Sequence, residues 1–310
     1  MFVVKHKNTF FFFSGLMVAL AAFSILFFGL RMSIEFTGGS LVEVLYSGER
    51  PSSSLVASAV EDFLGETSSV QELGSSGLLI RTRELTIPEH REILSLLSFG
   101  GEYAPHEERY TLVGPSVGEE LRAKAWYAIL AVLFAITLFV MFAFRKKAND
   151  AGARGPAGWH YGLITIIALA HDVIVPTGLF AFLATLFLGA EVNTLFITAL
   201  LAILGYSVHD TIVVFDRVRE HVRRNYEERT REPLQETIGK SLRETYARSI
   251  NTSLTTLVAL LVLLFFGSDS VFYFALALAV GIIAGTYSSI FLATPLLLVF
   301  QNFGKEKYEI

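Results

Sequence analysis

The chain has no cysteine among its 310 residues. Disulfides, thiolate metal sites and cysteine nucleophiles are therefore excluded. Net charge is also small, −4 in total, and because its signs are segregated along the chain each region has to be counted by itself. No small-residue cleavage site follows the first apolar run, so residues 10–30, entered after Lys5, His6 and Lys7, are expected to stay as a first membrane span. The glycine pair in FTGGS at Phe36 to Ser40 lacks the spacing of a dinucleotide or Walker loop. His90 and His106 are expected at the surface rather than on a metal, and no nucleic-acid partner is expected.

What the chain does have is apolar length. Hydrophobic residues make up 53%, 27 of the residues are Phe, and the mean hydropathy is +0.53, too apolar for a soluble core of this size. Five more runs of spanning length follow at 124–144, 159–188, 192–215, 249–267 and 270–301. The third and sixth of the six are too long to cross upright, so they must tilt, kink near Pro176 and Pro295, or run into the interface. Lys and Arg cluster at 1–9, in the loop 145–158, through 216–248 and in the tail 302–310. With six spans these all fall on one side, which the positive-inside rule makes cytoplasmic, with both termini there and 216–248 as an amphipathic segment. Residues 31–123 then lie outside, with acids outnumbering bases roughly two to one.

That outer stretch reads as β-α-β-β-α-β. A β-rich run covers Ser40 to Tyr46, a helix opened by Pro51 covers Ser52 to Leu64, and Ser69 to Leu73 with Leu78 to Thr82 form a hairpin around GSSG. Thr86 and Glu89 make a capping box for a helix through Leu97, and Arg109 to Val113 is the last strand. The expected fold class is a membrane all-α six-helix bundle with a small extracytoplasmic α+β ferredoxin-like domain. The fold alone says nothing of function.

Acids inside spans are costly and usually line a bundle interior or a wet path. Asp172 and Asp210 qualify. Asp210 stands five residues before Phe215, roughly 8 Å inward from the cytoplasmic end, and Arg248 stands just before the fifth span with a stem able to reach in. Either the two form a static bridge, or Asp210 alternates between paired and protonated forms and couples proton passage to helix spacing. His171 and His209 each adjoin an acid, but consecutive helical residues do not share a face, so direct pairing is not expected. Small and hydroxylated residues gather nearby: Gly205, Tyr206, Ser207 and Thr211; Asn251, Thr252 and Ser253; Thr286 and Ser288. They read as a polar bundle core, and Gly281 with Gly285 has close-packing spacing.

Six ordered segments carry a resemblance: GYSVHDTIVVFDRVRE at Gly205 to Glu220, ARSINTSLTT, GTYSSIF, ALAHDV, FTGGS and VGPSVGEEL. Together they resemble the SecD/SecF family of the bacterial Sec protein-export machinery, on its SecF side, and half of a resistance-nodulation-division transporter. The resemblance implies a multi-pass protein of the bacterial cytoplasmic (inner) membrane. It would pair with SecD and use the proton motive force to help preprotein through SecYEG after SecA has acted. Protons would be the coupling ion, with no cofactor and no covalent catalysis. In the family's pattern the Asp of GYSxxD and the Arg before the NTS-like segment belong to the proton pathway, which places those roles on Asp210 and Arg248. His209 departs from the pattern, which usually carries Asn there. A small-molecule or lipid exporter half, and a scaffold of the channel complex, are the alternative readings.

Overall fold

The computed structural model describes residues 2–145, 156–187, 189–230 and 232–305. The basic cluster at 146–154 and Lys307, used above for orientation, lie outside them. The chain forms two compact units, one of Met1–Arg31 with Tyr127–Ile310, the other Met32–Trp126.

The smaller unit opens with a one-turn helix, α3 (Ile34–Thr37), and continues as β1 (Gly39–Tyr46), α4 (Ser53–Leu64), β2 (Ser69–Leu73), β3 (Gly77–Thr82), α5 (Ile87–Leu96) and β4 (Pro105–Val113). The sheet is antiparallel throughout in the order β2-β3-β1-β4, which is how a split β-α-β pair interleaves. Local chemistry sets the helix starts. The Ser52 hydroxyl accepts from the Leu55 N–H at 3.3 Å, and at α5 Thr86 Oγ1 accepts from the Glu89 N–H while Glu89 Oε2 accepts from the Thr86 N–H at 2.7 Å, a reciprocal box. Alternating Val42, Val44, Leu78 and Ile80 bury one sheet face against Val56 and Val60 of α4 and Ile93 and Leu97 of α5, as period-two strands facing helices require. β4 is four residues longer than expected, because His106 and Glu107 continue the pairing past a bulge at Glu43/Val44. His106 is exposed, as expected. His90 is half-buried instead, stacked on Tyr110 with centroids 3.9 Å apart and 3.1 Å from Glu107.

FTGGS has a packing explanation. Gly38 and Gly39 have φ of +75° and +118°, and added Cβ atoms would meet Pro115 Cα at 2.7 Å and Thr82 O at 2.6 Å. A Cβ on Gly118 would in turn reach Gly38 N at 2.7 Å. FTGGS and VGPSVGEEL, separated in sequence, thus fit backbone to backbone, which only glycine allows.

In the larger unit α1 (Phe2–Lys5) leads into α2 (Lys7–Phe28), followed by α6 (Pro115–Ala143, counted in this unit from Tyr127 onward), α7 (Gly158–Leu186), α8 (Thr194–Glu227), α9 (Leu234–Phe266), α10 (Asp269–Tyr287), a π-helical segment (Ser288–Ala293) and α11 (Thr294–Lys305). Among the described residues six helices are long and apolar enough to cross a membrane, with α10, the π segment and α11 joined as the sixth. The segment expected at 216–248 as a separate amphipathic piece is instead the helical continuation of α8 to Glu227 and the beginning of α9 from Leu234. Arg and Glu at three- and four-residue spacing, such as Arg223 with Glu227, support those extensions in water.

The two prolines act differently. α7 runs on through Pro176, which offers no N–H to the carbonyl of Asp172 four residues earlier. Ahead of Pro295 the α-helix widens into the π segment, where the Thr294 hydroxyl donates to the Ser289 carbonyl at 2.7 Å. π segments commonly occur at functional positions. Spans three, four and six hold the centre of the bundle, while many Phe residues of spans one, two and five, including Phe12, Phe134 and Phe265, face outward.

Candidate functional site

Asp172 is fully buried on α7 and gathers donors from three elements. Its Oδ2 accepts from the hydroxyls of Ser207 on α8 and of Ser288, first residue of the π segment, the latter at 2.8 Å. Its Oδ1 lies 2.9 Å from His171 Nδ1. This last contact runs against the expectation that the neighbouring histidine and acid would not pair directly. The 100° turn between consecutive residues separates their Cβ atoms, but a short carboxylate and a ring folded sideways along the same buried seam still meet.

One helical turn further along α8, the Thr211 hydroxyl is 2.8 Å from Ser289 of the π segment, and Ser289 also donates to the Ser207 carbonyl at 3.4 Å. A second hydroxyl link joins Ser253 of α9 to Thr286 of α10 at 2.5 Å, with the Tyr206 hydroxyl donating to Ser253 at 3.4 Å. Ser207, Thr211, Ser253, Thr286 and Ser288 are all buried. These residues form a buried cluster of hydroxyls between the helices. α8 and α10 are held close by the glycines of α10, since a Cβ on Gly285 would stand 2.9 Å from Ser207 Cβ. The register, Ile203 with Gly281 and Ser207 with Gly285, runs in the same direction along both helices. Spans four and six of a six-span chain must run parallel, so this contact agrees with the span count.

Asp210 is 4% exposed, and its Oδ2 is buried with no hydrogen-bond partner. Ser249 of α9 faces it closely enough to act on its carboxyl group, yet neither Ser249 Oγ nor Asp210 Oδ2 makes a hydrogen bond of good geometry. Arg248 is exposed and, among the described residues, forms no close ion pair with Asp210, although its charge still reaches the acid. The geometry therefore keeps the proposed partner on the adjoining helix but does not bring its guanidinium to the acid. Not every residue expected in the core is there. Gly205 and His209, four residues apart on α8, and Asn251 on α9 are exposed, and a Cβ on Gly205 would meet nothing within 4 Å. Helical period explains it: Ile203, Ser207, Asp210 and Val214 own the buried face, and positions 205 and 209 are turned away from it. Thr252 is half-buried and only bonds back to the Arg248 carbonyl at 2.9 Å. Conversely, Ser249 and Ser289, in the segments ARSINTSLTT and GTYSSIF, belong to the site; the signal that marks them is a hydroxyl on the buried phase of a spanning helix. No cluster of metal-ligating side chains occurs among the described residues.

Six apolar helices, a hydroxyl-lined carboxylate core and a small antiparallel α+β unit define a multi-pass membrane protein of transporter-like build. Residues 99–303 match the family described as Protein export membrane protein SecD/SecF, C-terminal, and residues 23–48 match the SecD/SecF GG Motif. The chain belongs to the SecD/SecF family, on its SecF side, and is a membrane protein of bacterial type. It is similar to proteins named Protein translocase subunit SecF from Thermobaculum terrenum, 37% identical with 97% of this chain and 94% of that one covered. The counterpart from Pseudomonas aeruginosa is 35% identical, with 90% and 84% covered. Among solved structures, that of SecDF, a translocon-associated membrane protein from Thermus thermophilus, aligns with a TM-score of 0.79 at 31% identity. The alignment covers 96% of this chain and 38% of that longer one.

Proposed function

We propose that this chain is the SecF half of a proton-driven assistant to protein export. It works in a heterodimer with SecD and acts on preprotein emerging from SecYEG after SecA has pushed it through. Both termini lie in the cytoplasm and residues 31–123 outside it. The observation that carries this reading is Asp210: a carboxyl group buried among apolar helices, with Ser249 facing it but one oxygen making no well-formed hydrogen bond. A purely structural acid in such a place is expected to be fully satisfied. An acid that gains and loses a proton, and takes Arg248 as its partner in only one of two helix arrangements, has reason to be left open. The transmembrane potential supplies about 2.3 kcal/mol per charge per 100 mV, so a few protons suffice to move an ordinary two-state equilibrium. Asp172 and the hydroxyls around it continue the polar route through the bundle.

No covalent step is needed for this work. The outward positions of Gly205, His209, Arg248 and Asn251 suit the side on which the SecD half would pack. Co-purification from native membranes tests the assembly, with SecD and SecYEG expected to accompany the chain. Its isolation without SecD would refute the heterodimer. Preprotein translocation into vesicles at fixed ATP, with and without a proton gradient, tests the coupling.

A further inference from the structure

We propose that His171 and Asp172 together form a second proton-binding site in the bundle, holding one proton between them and gripping α8 and the π segment through Oδ2 of the carboxyl group. The inference rests on the proton-driven reading above, which puts Asp172 on the polar route, and adds His171 to it as a proton holder.

The argument is a count of charge and of donors. Asp172 is completely buried, and among the described residues its one ion-pairing partner is His171. A lone carboxylate at that depth is costly, whereas a carboxylate beside an imidazolium, or a carboxylic acid beside a neutral imidazole, carries no net charge. The pair therefore holds one proton in both of its inexpensive forms. The hydroxyls of Ser207 and Ser288 both donate to Oδ2, so that oxygen serves as an acceptor and the proton of the pair belongs to the His171 side, where Nδ1 meets Oδ1 at 2.9 Å.

His171 Nδ1 is committed to Oδ1, while its Nε2 is buried and unpartnered. When the bundle opens to water at this point, Nε2 is the atom that can give up its proton. The N–H bond breaks, water takes the proton, and a neutral imidazole remains beside a carboxylate with net charge −1. That charge pulls harder on the two hydroxyl donors, one of them at the start of the π segment, so release and helix geometry move together.

The other titratable groups around the pair are few. From α10 comes Tyr287, whose ring lies roughly parallel to His171 with centroids 6.1 Å apart and whose hydroxyl donates to the Phe10 carbonyl and meets Ser14 on α2. From α8 comes Asp210, one turn beyond Ser207. The π segment contributes only the hydroxyls of Ser288 and Ser289.

Two measurements on the full chain in lipid nanodiscs test the proposal, both in an Asp210→Asn background that removes the other buried acid. In the first, 15N-histidine spectra at neutral pH are expected to contain one buried imidazolium that disappears with Asp172→Asn; a neutral His171 would overturn the proposal. In the second, infrared spectra of His171→Asn are expected to gain a protonated-carboxyl band that a further Asp172→Asn removes. Asn can still donate to Asp172 but cannot hold the proton, so the proton moves to the carboxyl. No new band in a folded His171→Asn protein would overturn the proposal as well. Neither readout depends on translocation. An imidazolium found alongside unaltered gradient stimulation in Asp210→Asn supports this site while the export reading fails, and a neutral His171 alongside lost stimulation does the reverse.

Discussion

Gly281 of α10 lies so close to Ile203 of α8 that a Cβ added to it would stand 2.1 Å from Ile203 Cδ1 and 2.4 Å from Cγ1. Ile203 is buried and β-branched, so it has little freedom to turn aside. Gly281→Ala is expected to force the two helices apart and to cost about 1–3 kcal/mol, read as lowered resistance to unfolding in lipid. Ile203→Ala in the same chain should restore part of that loss. Gly285→Ala should not be rescued so simply, because the atom it meets belongs to Ser207, which is tied to Asp172.

The grip of Asp172 on its neighbours predicts a second set of effects. Ser288→Ala removes one donor from the carboxylate and is expected to destabilise the bundle by about 1–3 kcal/mol. Ser207→Ala should do the same, and the double variant should depart from additivity because both donors share Oδ2. A thermal or denaturant unfolding cycle of the four proteins measures the coupling.

Arg248 is exposed and makes no ion pair with Asp210 in this arrangement. Arg248→Gln is therefore expected to change stability by less than about 0.5 kcal/mol while reducing the stimulation of translocation by a proton gradient. A large loss of stability with this variant would place the arginine in the static framework instead.

The outer unit offers a pH prediction. Glu89 is held at about 2, below its ordinary 4.5, first by the hydrogen bond from Arg83 and then by the Thr86 backbone N–H and hydroxyl. A carboxylate lowered in the folded state contributes stability that is fully present above 4.5 and is lost as pH falls through about 2. Hydrogen exchange of the α5 amides should thus differ between the native chain and Glu89→Gln at pH 7, and the difference should close as pH falls towards 2.

How much of this could be read from the residues alone depended on the range of the forces involved. Thr86 and Glu89 lie three residues apart, so the capping box and the helix behind it were legible, as were β2 and the six spans, whose lengths follow from bilayer thickness. The β4 extension was not, since it depends on a bulge at Glu43/Val44 some sixty residues away. In the bundle, hydropathy located Asp172 and Asp210, and GxxxG spacing located the close approach of α10. Which hydroxyls would face which acid required the helical phase. That is why Gly205, His209 and Asn251 turned out exposed, while Ser249 and Ser289, equally polar in sequence, line the site. The His171 contact depended on side-chain torsions, which no periodicity encodes.

The most direct test of the central claim is translocation of a preprotein into vesicles at fixed ATP, comparing the native chain with Asp210→Asn in the presence and absence of a proton gradient. The account predicts that the variant assembles normally with its partners and loses the gradient-dependent part of the rate. Full gradient stimulation in a correctly assembled Asp210→Asn complex would contradict it.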